Sequence, residues 1–176
     1  MEDIIKKLID EYSELWEKKI VKKNKLFHTC GGLSNKNYYI ESGIIKASVY
    51  NEEEQKEAIV GFFSGGECML PYRNMPIQKQ YNLTAVTEII IYSISASNWD
   101  SIAKEKPTLI RNILDKDMLK IMGKLNAKSL IKVCPDIASK YKKALEIYPF
   151  LDKIKDEDVA SFIGCGLRRI QEIRNW

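Results

Sequence analysis

Three arginines, a glutamine and a glutamate stand close together near the end of the chain: Arg168, Arg169, Gln171, Glu172 and Arg174. Arginine can donate two hydrogen bonds to guanine O6 and N7, and glutamate can accept one from cytosine N4, so these types can read base edges. They need an element that holds them out. Residues 156 to 176 have the spacing of a helix-turn-helix: small Ala160, then Gly164, then Ile170 and Ile173. Val159 and Ile163 give the first helix an inward face, and the two isoleucines give the second one. Ala160 lets the helices cross closely, and Gly164 can take the left-handed conformation that ends the first helix. Asp156, Glu157 and Asp158 crowd the first turn, where the helix dipole favours negative charge. The competing reading is a plain αα-hairpin in a helical core.

The chain has 176 residues, room for one large or two small domains. Apolar residues make up 45% and charged residues 30%, a balance that can build a packed core. The net charge of +4 permits a polyanionic partner without requiring one. Residues 136 to 176 are nearly neutral, with eight Lys/Arg against seven Asp/Glu, which argues against strong DNA binding. The charged, amphipathic start MEDIIKKLID is no signal peptide, and no apolar run approaches the ~18 residues of a membrane span. A cytoplasmic location without membrane attachment is therefore expected. Cys30, Cys68, Cys134 and Cys165 lie far apart, so reduced structural thiols are expected. The pair His28 and Cys30 is too little for a metal site, and His28 is the single histidine. No nucleophile, base and orienter occur together, so no catalytic role and no cofactor are expected.

Residues 2 to about 21 read as one amphipathic helix, with Ile5, Leu8, Ile9, Tyr12, Leu15, Trp16 and Ile20 at spacings of three and four. From Tyr38 to Ser95 the pattern becomes that of strands: 38–40 and 44–50 around a turn at Gly43, then 57–63, 82–86 and 89–95. Ser64 to Glu67 forms a glycine turn. Short strands without intervening helices point to an antiparallel jelly roll. Residues 98–104 read as a short helix with Ser97 as its cap, and 108–133 as one long helix. Leu109, Ile110, Ile113, Leu114, Met118, Ile121, Met122 and Leu125 give the long helix a band too wide for a lone surface helix, so part of it is expected to face a second protomer. Lys116, Lys120, Lys124, Lys128 and Lys132 spiral around that helix at about 40° per step and read as a solvated flank. Pro135 stops it, and a further helix spans 137–147. The fold class is thus α+β, with a jelly roll, a long helix and a small helix-turn-helix domain.

In this order of parts the chain resembles the Crp/Fnr family of bacterial transcription regulators. The resemblance rests on residues 39–45 (YIESGII), Gly61-Phe62-Phe63 with Gly65-Gly66-Glu67, Leu83-Thr84-Ala85, Tyr148-Pro149 and residues 160–164 (ASFIG). These segments are most similar to members from Bacteroidetes-type bacteria. The resemblance implies three parts: a cyclic-nucleotide-binding-like effector roll over 1–106, a dimerisation helix over 107–134 and a DNA-binding domain over 135–176. It also implies a homodimer, paired through the 108–133 helix, with double-stranded DNA as the partner.

In the nucleotide-binding members a glycine-led turn cradles the phosphate, a glutamate holds the ribose and an arginine pairs with the phosphate. Here the turn begins with Gly65, Gly66 and Glu67, but the Gly-Glu positions fall on Leu70-Pro71 and the arginine position near Lys79-Gln80. Leucine cannot hydrogen-bond a ribose hydroxyl and proline has no N–H, so cAMP and cGMP are not expected as ligands. Tyr72, Arg73, Lys79 and Tyr81 are the candidates for another small effector, and a purely structural roll is the equal alternative.

At the DNA end the resemblance places a recognition helix from about Leu167, with Arg168, Arg169, Glu172 and Arg174 outward and Gln171 alongside. Many relatives carry Ser-Arg where this chain has Gln171-Glu172, and Gly166 replaces the usual polar cap. The sequence to Trp176 leaves no room for the wing hairpin many members place next. Phosphate contacts then fall to Lys140, Lys142, Lys143, Arg169 and Arg174. The expected function is a dimeric regulator that does not respond to cAMP. The alternative is an effector-binding or protein-interaction module whose degenerate helix-turn-helix only packs.

Overall fold

Two sheets of alternating inward side chains close over one apolar interior. The computed structural model describes residues 2–29, 36–53, 55–69 and 82–175. The chain divides into two compact units, residues 1–118 and 119–176.

The first unit starts with α1 (Glu2–Glu11) and a 3-10 turn (Ser13–Leu15). Eight strands follow: β1 (Glu17–Val21), β2 (Leu26–Thr29), β3 (Lys36–Ser42), β4 (Ile44–Asn51), β5 (Lys56–Ser64), β6 (Glu67–Met69), β7 (Asn82–Ala85) and β8 (Ile89–Ser95). They form two antiparallel sheets, ordered β1-β8-β3-β6 and β2-β7-β4-β5. Val21, Ile40, Ile45, Ala47, Leu83, Ala85, Ile89 and Ile91 fill the interior between them. The central strands of the first sheet, β3 and β8, bury side chains on both faces. Tyr39 and Ile94, on its far side, pack with Ile5, Leu8 and Ile9 of α1 and with Trp99 and Ile102 of α2 (Ala96–Glu105). Along β8, Ile89 and Ile91 face the roll interior, while Ile94 faces the helices. Among the described residues no helix is long and apolar enough to cross a membrane.

The expected helix over 2–21 is half right. It ends at Glu11, and Glu17–Val21 is an edge strand in register with β8, with Ile20 opposite Ile90 and Val21 opposite Ile89. Tertiary pairing overrides the helical spacing here. Trp16 leaves the stripe to meet Trp99 edge to face, with ring centroids 6.4 Å apart, and Ile20 is 60% exposed. Strands β2 and β6 were not expected at all. The cap of α2 is Ser95, whose hydroxyl accepts from the Asn98 N–H at 3.1 Å, and not Ser97.

Gly43 is a corner and not the hairpin turn that the flanking strands suggest. β3 pairs with β6 and β8, whereas β4 pairs with β5 and β7, so the chain changes sheets at this residue. Its φ is +92°, and a Cβ there would lie 2.4 Å from the Glu88 carbonyl oxygen. Only glycine fits.

The long helix α3 (Pro107–Lys132) contributes residues to both units, and the second unit continues with α4 (Ile137–Ile147), a 3-10 turn (Pro149–Lys153), α5 (Asp156–Ile163) and α6 (Leu167–Arg174). In the second unit's share of α3, Ala127 and Ile131 are buried while Leu119, Met122, Leu125 and Leu130 are exposed, as is Val133 just beyond. The lysine row is not a uniformly solvated flank. Lys128 Nζ lies 5.6 Å from the Phe162 ring centroid, and burial followed by Lys132 lowers its pKa.

Gly43→Ala is expected to destabilise the first unit by about 3 kcal/mol, because it adds backbone strain to a steric clash. Gly61→Ala, where an added Cβ meets nothing within 4 Å, should stay within about 0.5 kcal/mol. Urea midpoints of the two variants check the pair.

Candidate nucleic-acid interface

The second unit is built so that one face of α6 looks in and the other looks out. Asp136 caps α4: its carboxylate accepts from the Ser139 N–H at 2.9 Å and the Ser139 hydroxyl at 2.8 Å, which holds it below the ordinary carboxylate range. Helix α5 ends at Gly164 in the left-handed conformation, φ +79°, with its N–H donating to the Ala160 carbonyl at 2.9 Å. A second donor, the Cys165 N–H, reaches the same carbonyl at 3.0 Å. The last turn of α5 is thereby closed, and the chain is redirected into α6. Gly166 at the start of α6 gives no side-chain cap.

Val159, Ala160, Phe162, Ile163 and Ile170 are buried, with Ala144, Leu151 and Ile154 beside them in the same unit. Ile173 is half-buried. The small-residue spacing therefore does what helix crossing needs. Tyr148 stands edge to face with Phe162, with centroids 5.6 Å apart, which extends the core with an aromatic contact.

Arg174 corrects the sequence reading. It was expected to point outward, yet its side chain is only 19% exposed and faces the core. Its Nε donates to the Tyr141 hydroxyl at 3.0 Å, and Nη1 donates to the Ile154 carbonyl at 2.8 Å and to Asp156 Oδ1 at 2.5 Å. Nη2 donates to the Leu151 carbonyl. A guanidinium has the five donors such a site requires, and its bonds here reach α4, the connection around Leu151 and Ile154, and the start of α5. The signal was in the spacing. Arg174 follows Ile170 by four residues and so shares its inward face.

Arg168, Arg169, Gln171 and Glu172 occupy the other side. The side chains of Arg168 and Arg169 are 93% and 59% exposed, and Gln171 is exposed. Glu172 sits between the two arginines. Its Oε1 lies 3.3 Å from Arg168 Nε, and its Oε2 accepts from Arg169 Nη1 at 2.8 Å. The hydrogen bond from Arg169 leads in holding the Glu172 carboxyl below its ordinary value. These ties follow from spacings of three and four on one helix face. Of the expected phosphate contacts, Lys142 is exposed, Lys140 is half-buried, and Lys143 is bound to Glu146 at 2.8 Å.

The second candidate site, in the roll, is described only at its start. Gly65 and Gly66 join β5 to β6, and the Gly66 N–H donates to the Ile40 carbonyl at 2.8 Å. The Glu67 carboxylate turns back on that turn and accepts from the Ser64 N–H at 3.2 Å and its hydroxyl at 3.4 Å. Tyr72, Arg73, Lys79 and Tyr81 lie outside the described residues, as do Leu70, Pro71 and Gln80. No group of three His, Cys, Asp or Glu able to hold a metal occurs among the described residues.

Solved structures place this architecture. The global regulator CLP of Xanthomonas campestris, which responds to c-di-GMP, superposes with a TM-score of 0.73 at 13% identity, covering 97% of this chain and 90% of its own. A cyclic nucleotide-binding domain protein from Listeria monocytogenes gives 0.77 at 14%, covering 97% and 87%. A protein of Eubacterium rectale assigned to the Crp/Fnr transcriptional regulators gives 0.72 at 17%, covering 96% and 79%. The fold is that of Crp/Fnr-type regulators. No family model matches the sequence, and no curated protein matches it.

Arg174→Ala leaves two carbonyls, a carboxylate and a phenol without their shared donor. It should destabilise the second unit by about 2–4 kcal/mol. Arg174→Lys should recover only part of that, because an ammonium cannot span the same four acceptors. Thermal melts followed by helical circular dichroism check both.

Proposed function

We propose that this chain is a dimeric, DNA-binding transcriptional regulator of Crp/Fnr type. The observation that carries the reading is the exposed face of α6. The glycine-turned corner of α5 and α6 holds Arg168 and Arg169 out in solvent, on a fold shared with regulators of this type. In this reading residues 1–106 form the effector roll, 107–134 the dimerisation helix and 135–176 the DNA-binding domain. Arg168 and Arg169 meet guanine or phosphate, and Gln171 and Glu172 border the same base edges. Arg174 belongs to the framework and not to the contact surface.

The pairing of two chains draws support from α3. Leu119, Met122, Leu130 and Val133 recur at spacings of three, eight and three on one exposed face, with Asn126 between them. Apolar side chains in that register find their stable place against a matching helix. Cyclic AMP is not the effector in this proposal, since Leu70 and Pro71 stand where a ribose-binding pair would be needed.

A second reading keeps the fold and drops the DNA. Glu172 offsets one of the two exposed arginines, and Arg174 is spent on the core, observations that favour a helix-turn-helix used only for packing.

Selection of bound duplexes followed by gel shift separates the two. A regulator enriches one sequence, and Arg168→Ala should weaken binding to it by about 1–3 kcal/mol with relaxed choice at one base position. Equal binding to every sequence by both proteins would reject the regulator. For the dimer, Leu130→Glu should convert a two-chain species to one chain in sedimentation velocity, with its helical circular dichroism retained because Leu130 is 52% exposed in the single chain.

A further inference from the structure

Glu172 is the one acidic side chain on the outward face of α6, and it is tied to both arginines of that face at once. The three side chains fall together because residues 168, 169 and 172 lie within one turn of each other on the helix surface. Arg174 is engaged with Asp156 and two carbonyls, so it adds no free charge to this face. What α6 offers a duplex is therefore two positive groups and, between them, a carboxylate that already holds both.

We infer that Glu172 acts as a built-in rival of the DNA phosphates: it makes binding to arbitrary sequence weak and leaves discrimination to sites that give its carboxylate a partner. This inference rests on the DNA-binding reading above and assigns Glu172 a role within it. A backbone phosphate can take Arg168 or Arg169 only by displacing Glu172, and a stranded carboxylate then faces a polyanion. Exposed ion pairs of this kind are individually weak, so a duplex can break them. On arbitrary sequence nothing repays the carboxylate. On a site whose cytosine N4–H₂ group lies opposite Glu172, that amino group donates to it, and the rival becomes a contact. Glu172 thus lowers affinity for nearly every sequence and spares those with the right donor.

The test compares wild type, Glu172→Gln, Arg168→Ala/Arg169→Ala and the triple variant on two probes: a random-sequence duplex and the best selected duplex. All substituted side chains are exposed or half-exposed, and a melting profile confirms that each variant is folded. Glu172→Gln should bind the random duplex about 3- to 10-fold more tightly between about 50 and 200 mM salt, with a log–log salt slope steeper by about one. Its preference for the selected duplex should shrink by a similar factor. In the background lacking both arginines the same substitution should have little effect, which identifies the gain as release of those two side chains. Unchanged random-duplex binding by Glu172→Gln would overturn the inference while leaving the DNA-binding reading in place. A gain that persists without the arginines would also overturn it, since Glu172 would then be only a bulk charge. If neither wild type nor Glu172→Gln binds any duplex at the lowest salt, the DNA-binding reading itself falls.

Discussion

The guanidinium of Arg174 is the interaction on which the second unit depends. Three parts of that unit meet through it: Tyr141 of α4, the carbonyls of Leu151 and Ile154 in the connection that follows, and Asp156 at the start of α5. Those carbonyls belong to the 3-10 turn between α4 and α5 and the residue that caps it, where few backbone donors are within reach. One side chain answers them and fixes the rotation of α6 about its own axis. Once that rotation is set, Ile170 is driven inward and Arg168, Arg169 and Glu172 are driven outward. The charge of Arg174 is thus spent on orientation, so the arginines that remain for a partner are fewer than the sequence suggests.

The first unit rests on a different constraint, the double burial of one sheet. The sheet of β1, β8, β3 and β6 has the roll interior on one face and the helices α1 and α2 on the other. In the middle of β3 and β8, buried side chains therefore occur at both parities, as Tyr39 beside Ile40 shows, and the charges Lys36 and Glu41 stand towards the ends of β3. Tyr39 carries its hydroxyl into this layer without a hydrogen bond, and burial there pushes its pKa up to about 12.

Much of this was legible beforehand because local physics and tertiary context agree. Residues 137–147 read as a helix and are one, since Asp136 caps them and Tyr148-Pro149 ends them. Gly164 read as the corner because glycine takes the left-handed conformation at the least cost, and its φ is +79°. Strand β1 was illegible, since its apolar spacing suits a helix and only pairing with β8 makes it extended. The same applies to β6, three residues long and defined by its partner β3. At the candidate site the exposed arginines were legible from type. The inward turn of Arg174 and the fork around Glu172 both needed helical geometry to be applied to charged residues as strictly as to isoleucines.

Gly43 sends consecutive strands into different sheets, and this shapes how the roll is made. Among the described strands, β4 and β5 alone are both neighbours in sequence and partners in a sheet. Every other ladder joins distant stretches, as when Val21 meets Ile89. Such a layout has high contact order, with loop-closure entropy spent before most pairings return anything. The β4–β5 hairpin is the natural nucleus, and the remaining strands must condense on it nearly together. A roll wired in this way is expected to assemble slowly for its size.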